Sequence, residues 1–73
     1  METTAIPPIY VVSYYIGIVG PFTQIFHDEL SAWHYYTDII DGYQCSAYLH
    51  QMKPELNGAF SYDKALAASE NDN

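Results

Sequence analysis

From Ile9 to Ile18 the chain reads IYVVSYYIGI, β-branched and aromatic residues with apolar side chains on both parities, which predicts a strand covered on each face. Val19-Gly20-Pro21 interrupts it with turn chemistry, and Phe22 to His27 reads as a second short strand that completes a hairpin. Ahead of them, Pro7 and Pro8 fix their own φ and bias Ile6 toward extended backbone. Residues 1–8 are therefore expected as an extended lead-in.

The period then changes from two to 3.6. Asp28 can cap a helix by accepting N–H bonds from its first turn, and Glu29 stands where the helix dipole favours negative charge. Leu30, Trp33, Thr37 and Ile40 lie on one stripe, and Gly42 supplies a left-handed stop, so a helix over Glu29 to Asp41 is expected. The alternative begins it at Pro21, which would bring Phe22 and Phe26 onto the same stripe. Beyond it, Tyr43 to Met52 alternates, with Cys45, Ala47 and Leu49 toward a core and Gln44, Ser46, Tyr48 and His50 away from it. Pro54 ends that third strand, having no N–H to donate.

These elements compose a small α+β domain of ββαβ order over 9–52. The right-handed crossover rule sets the third strand beside the first, in a three-stranded sheet of order 2-1-3 with one helix on one face. Residues 53–73 are expected to form a flexible acidic tail, with a transient helix near Asp63 to Ala68. The other face of so small a sheet has nothing in the chain to cover it. With Tyr48 and Met52 in register it becomes an aromatic patch of the kind that meets a partner.

Composition narrows the class. Of 73 residues, 49% are hydrophobic and only 15% charged, too apolar a mixture for a disordered chain. The apolar run from Ile9 to Phe22 is broken by Ser13, Gly17, Gly20 and Pro21, so no membrane-spanning segment is expected. Met1-Glu2-Thr3-Thr4 followed by Pro7-Pro8 fits neither a secretory signal nor a transit peptide, which makes the cytoplasm the expected location. A single core in a chain under about 80 residues supplies only about 3–5 kcal/mol of net stability unless it is stapled. Cys45 is the one cysteine, so no internal disulfide can form.

Charge is the more informative property. Nine acids face two basic residues, for a formal net charge of -7, and arginine is absent. Such a chain repels a phosphate backbone and lacks the bidentate fork that grips phosphates and guanine edges, so direct nucleic acid binding is not expected. Both lysines, Lys53 and Lys64, fall after Met52, while Glu2, Asp28, Glu29, Asp38 and Asp41 precede it. Asp38 and Asp41 occupy the last helical turn, where the dipole disfavours negative charge.

Catalytic chemistry finds little purchase. His27, His34 and Asp38 would make a two-histidine, one-carboxylate metal set only on a helix that started early, and they otherwise read as ordinary surface residues. Cys45 on the core parity of a strand reads as packing. Carboxylate pairs at Asp28/Glu29 and Asp38/Asp41 lack the water-excluding cleft that shifts an acid's pKa. No metal, no cofactor and no enzymatic activity are expected; a small metal-dependent enzyme built on His27, His34 and Asp38 is the remaining catalytic reading.

A surface reading is better motivated. Tyr35 and Ile39, at i and i+4, are expected on the exposed helix face beside Asp38, and aromatics rimmed by acids suit a basic protein surface. Ile6, Ile9 and Tyr10 in the pre-extended lead-in offer a second docking element, since such a segment loses little entropy on binding. The candidate protein-binding residues are thus Ile6, Ile9, Tyr10, Tyr35, Asp38 and Ile39. A monomer is expected, with a dimer through the open sheet face as the alternative.

In its Ile6-Pro7-Pro8-Ile9-Tyr10 lead-in, its acidic Asp28 to Asp41 helix and its size, the chain resembles the small acidic host-takeover proteins of lytic phages, and in length the RNA polymerase regulators of Xanthomonas phages. That resemblance implies a non-enzymatic protein of the host cytoplasm that binds host RNA polymerase, inhibits initiation and promotes antitermination. The alternative is an acidic nucleic acid mimic that occupies the DNA channel of a restriction, CRISPR or repair enzyme. A mimic needs carboxylates spaced like phosphates along one face, whereas a docking protein needs an apolar patch.

Overall fold

A computed structural model describes residues 6–70, and within them five elements follow in order: β1 (Ile9–Ile16), β2 (Val19–Phe26), α1 (Glu29–Tyr43), β3 (Ser46–Pro54) and β4 (Phe60–Ser69). The strands form one antiparallel sheet in the order β2-β1-β3-β4, and α1 packs on one face of it. The expected order 2-1-3 is present within this sheet. The fourth strand is a correction, because Phe60–Ser69 is neither tail nor transient helix.

The reason is the exposed edge that β3 would otherwise have. Leu49 has no solvent-accessible surface and pairs with Val12 on one side and Ala67 on the other. Leu66 and Ala67 pack against the core cluster, so the alanine-rich stretch is recruited by burial against its own helical preference. Two irregularities in the β3–β4 register let the strand follow its neighbour. The turn into it is closed by Glu55 N–H to the Ala59 carbonyl at 2.7 Å and Ala59 N–H to Asn57 Oδ1 at 3.0 Å, with Gly58 at φ +89°.

The first hairpin turns at Gly17-Ile18, two residues earlier than expected, and Val19-Gly20-Pro21 belongs to β2. The register shifts there, and the Gly20–Pro21 peptide is cis. Gly20 holds φ +138°, and a Cβ placed on it would come 3.0 Å from both the Tyr14 carbonyl oxygen and the Tyr15 ring. No other residue fits without a shift of the backbone.

Helix α1 starts as expected. Asp28, with φ -124° and ψ 129°, accepts from the Ser31 N–H at 2.8 Å and the Ser31 hydroxyl at 2.9 Å, and these bonds hold its carboxyl below the usual carboxylate range. The start at Pro21 is excluded, since Pro21 lies in β2. The end differs, because Gly42 remains helical and Gln44 takes the left-handed conformation at φ 53°, its N–H donating to the Ile40 carbonyl. This added length carries Tyr43 to within 6.4 Å of Tyr14, ring centre to ring centre.

The buried face of α1 is also corrected. Ala32, Tyr36 and Ile39 face the sheet, whereas Leu30 is exposed and Trp33 and Ile40 are half-buried at the flank. The apolar residues cover more than half of the helix circumference, so periodicity alone admits two stripes. Ala32 decides between them, because a small side chain lets the helix settle close onto Val12, Ala47 and Leu49, with Cys45 completing the core. Trp33 stays at the rim with its indole N–H donating to Glu29 at 3.1 Å.

Two outcomes test this architecture. Removal of residues 55–73 is expected to abolish cooperative urea unfolding, because it exposes the β3 edge and uncovers Leu49; an unchanged midpoint would restore the tail description. Leu49→Ala is expected to cost about 2–5 kcal/mol in a urea titration of the full chain.

Candidate functional site

The sheet has two unlike faces. Toward α1 point Tyr10, Val12 and Tyr14 of β1, with Phe26, Gln24 and Phe22 opposite them on β2 and Gln51, Leu49 and Ala47 on β3. Away from it point Ile9, Val11, Ser13 and Tyr15, opposite Ile25 and Thr23 on one side and Met52, His50, Tyr48 and Ser46 on the other. Tyr62, Ala65 and Ala68 extend this second face across β4. No helix covers it, and among the described residues the paired positions of this face hold no Asp, Glu, Lys or Arg, with Glu70 bordering it at the end of β4. Tyr48 and Met52 lie on it as their parity required.

This face is packed within itself. Val11 is only 8% exposed although it lies outside the core beneath α1, because the side chains around it close over it. The His50 and Tyr62 rings meet at 5.8 Å, and the Tyr48 hydroxyl donates to Glu70 at 3.4 Å on the rim. Partial desolvation and then the Glu70 carboxylate push the Tyr48 hydroxyl up from its ordinary pKa. Ile25 and Tyr62 stand clear at 54% and 60% exposure.

Of the residues expected to bind, Ile6 is exposed ahead of β1 and Ile9 is half-buried on the open face beside Met52. Residues 1–5 of the expected lead-in lie outside the described residues. Tyr10 points to the opposite side from Ile9 and packs against the core. Asp38 is exposed on the outer side of α1. Tyr35 and Ile39 are corrected: Ile39 is 6% exposed and part of the core, and Tyr35 is half-buried against the sheet. The expectation placed them on the solvent side because it assigned the core to the neighbouring stripe.

Tyr35 instead belongs to an aromatic cluster at the C-terminal end of the helix. Its hydroxyl and that of Tyr14 are hydrogen-bonded at 3.1 Å, and its ring lies 5.2 Å from Phe26 and 6.2 Å from Tyr14. Tyr14 lies nearly parallel to Phe22, at 5.3 Å and 27°, and to Tyr43, at 6.4 Å and 11°. Phe22 and Tyr43 are exposed at the two ends of the row. Ala47 is the residue opposite Tyr14 on β3. Its small side chain leaves space above the strand.

The hydrogen bond to Tyr14, joined by burial, pushes the Tyr35 hydroxyl up to about 12. Burial also raises Tyr36.

Among the described residues, no group of three or more His, Cys, Asp or Glu is placed to hold a metal ion, and His27, His34 and Asp38 do not come together as one. Cys45 is buried and free. No described helix is long and apolar enough to cross a membrane.

Because Tyr35 is neutral more persistently in the folded state than unfolded, its contribution is complete below the ordinary tyrosine value near 10 and is lost as pH rises toward about 12. The urea midpoint of the parent should exceed that of Tyr35→Phe by a constant margin up to about pH 10 and converge on it above. A margin unchanged through pH 12 would mean that Tyr35 titrates alike in the folded and unfolded chain. Compared with protein-family models, with curated proteins and with solved structures, the chain matches none of them, and the two-faced sheet carries the functional reading.

Proposed function

We propose that this chain is a non-enzymatic regulator that docks on host RNA polymerase, inhibiting initiation and promoting antitermination. What supports a docking protein is the uncovered sheet face, apolar and aromatic, with Glu70 at its border and with Ile25 and Tyr62 standing out from it. What supports polymerase as the partner is the resemblance of the lead-in and the acidic helix to phage host-takeover proteins. Ile6 and Ile9 continue the apolar face toward the N-terminal segment, and the acids elsewhere on the chain steer the encounter with a basic surface.

The disposition of those acids favours docking over nucleic acid mimicry. Asp28 accepts from Ser31, Glu29 from Trp33, Glu55 from Ser61, Asp63 from Gln51 and Glu70 from Tyr48. They are spread over the helix start, a turn, an edge strand and the end of that strand. A phosphate mimic needs a row of free carboxylates along one face, and these are neither free nor aligned.

Ile25→Ser combined with Tyr62→Ser removes the two outstanding side chains from exposed positions and is expected to leave the melting temperature within a few degrees of the parent. Binding of the variant to a purified Xanthomonas RNA polymerase holoenzyme should fall by about tenfold or more, as for loss of interface anchors. In transcription assays the parent should lower promoter-dependent initiation and raise terminator read-through. A parent that neither binds the holoenzyme nor alters either readout removes the proposal.

A further inference from the structure

Local geometry keeps charge off the uncovered sheet face. In the β3–β4 pairing, Leu49 and His50 take Ala67 and Ala65, and Gln51 and Met52 take Lys64 and Tyr62, so Leu66 and Asp63 are the extra residues of two bulges on β4. Each bulge leaves two consecutive residues on the helix side. Leu66 and Ala67 both pack against the core cluster, and Asp63 accepts from the Gln51 side chain beside Lys64, which pairs with Gln51. Strict alternation from Tyr62 would have turned Lys64 toward the open face. Ala65 and Ala68, both small and exposed, stand there instead.

The edges of the sheet are poor templates for another chain. The bulges interrupt β4, and β2 has its own register shift and Pro21, which has no N–H to donate. Association is left to the face, and the face is shaped to receive itself. Register places Ile25 and Ala65 at opposite ends of one row, Ser13 beside Tyr48 in the next, and Tyr15 beside Ser46 in the one beyond. A half-turn about an axis along the strands, midway between β1 and β3, lays β2 of one copy on β4 of another and β1 on β3, row upon row. Ile25, at 54% exposure, then meets Ala65 of the second copy, Tyr48 meets Ser13, and Tyr15 meets Ser46. Each large side chain faces a small one. Tyr62, in the row of Ile9 and Met52, falls beyond the end of β2, whose pairing stops at Phe26.

Area and charge set the strength. At the usual strand rise and spacing, four strands the length of β3 present about 500 Å² per copy, or about 1,000 Å² in all, the lower bound of a specific interface. Each copy carries a formal charge of -7, which opposes association in low salt. The half-turn leaves the two Glu70 carboxylates on opposite edges, more than about 14 Å apart and beyond the roughly 10 Å reach of charge in 0.1 M salt.

We infer that the occupant of the open face in the free protein is a second copy of this chain, in a weak, two-fold, face-to-face dimer that salt strengthens. The dimer hides the surface used in the docking function proposed above, so the chain at high concentration competes with any other protein for that face. It does not depend on polymerase being that protein. Its test contains no polymerase, so either reading can fail alone.

Sedimentation of the full chain should show a reversible monomer–dimer equilibrium with a midpoint between about 10 μM and 1 mM, the weak end for an interface of this size. Raising NaCl from about 50 to about 500 mM should tighten it by about threefold or more, whereas binding to a basic surface would weaken. Ala65→Glu, at an exposed position, should weaken the dimer by about tenfold or more, and Ile25→Glu should repeat the effect from the opposing side. Thr37→Glu adds the same charge on the exposed side of α1 and should change it by no more than about twofold. In a mixture of isotope-labelled and unlabelled chain, NMR contacts between copies should join the Ile25 methyls to the Ala65 methyl. A chain that stays monomeric to about 1 mM at both salts, an association that salt weakens, equal losses in Ala65→Glu and Thr37→Glu, or contacts that join Ile25 to Ile25 would each overturn the inference.

Discussion

The packing of Ala32 into the buried cluster that holds Leu49 is the constraint on which the molecule is built. Both are fully buried, as are Val12 and Ala47 beside them, and they define how closely one helix can approach a sheet with little else to hold it there. A larger residue at position 32 would lift the helix and open the space beneath Tyr36 and Ile39. The position of Leu49 also explains the sheet's width, since a β3 left as an edge would have the deepest side chain of the core beside solvent. One helix can cover only part of four strands. The fold therefore has a dry core directly beneath the helix and a second apolar side that no helix covers.

That incompleteness is of a particular kind. The open face is not raw core, because Val11 is already shielded by its neighbours and Tyr48 has a partner for its hydroxyl. It is a surface that tolerates water and would still gain by losing it, which is what the proposed docking role asks of it. Among the described residues the acids lie at the border of this face or away from it, satisfying local donors at the helix start, in the β3–β4 turn and along β4, while Asp38 and Asp41 stand exposed in the second half of α1.

Much of this was legible in the chain. The alternation of Cys45, Ala47 and Leu49, the two-sided apolar character of β1 and the capping Asp28 each encode a local geometry that the tertiary structure keeps. The helix stripe was ambiguous because Leu30, Trp33 and Ile40 are as apolar as Ala32, Tyr36 and Ile39; small size at position 32, rather than hydrophobicity, settles it. Asn57-Gly58 is a hairpin signal in its own right and marks the return into β4. The alanines that follow favour a helix in isolation, and only the vacant edge of β3, a long-range property, overrides them. Of the site, Tyr48 and Met52 could be placed by parity, while Ile25 and Tyr62 needed the true pairing of β2 and β4. Tyr35 and Ile39 followed the misplaced stripe.

Gly20 takes on a further meaning in this setting. Val11 and Val12 are consecutive and both buried, so β1 is apolar on both sides, and sliding it by one residue against its neighbours would exchange one largely apolar surface for another at little cost in burial. Hydrophobic alternation, which keys register in most half-buried strands, is silent for this one. The close seat of Gly20 against the Tyr14 carbonyl and the Tyr15 ring can be filled by no neighbour in the chain, since Val19 and Pro21 both carry a Cβ. The residue with no side chain acts as the index mark of the hairpin, fixing which face of β1 meets the helix and which is left uncovered.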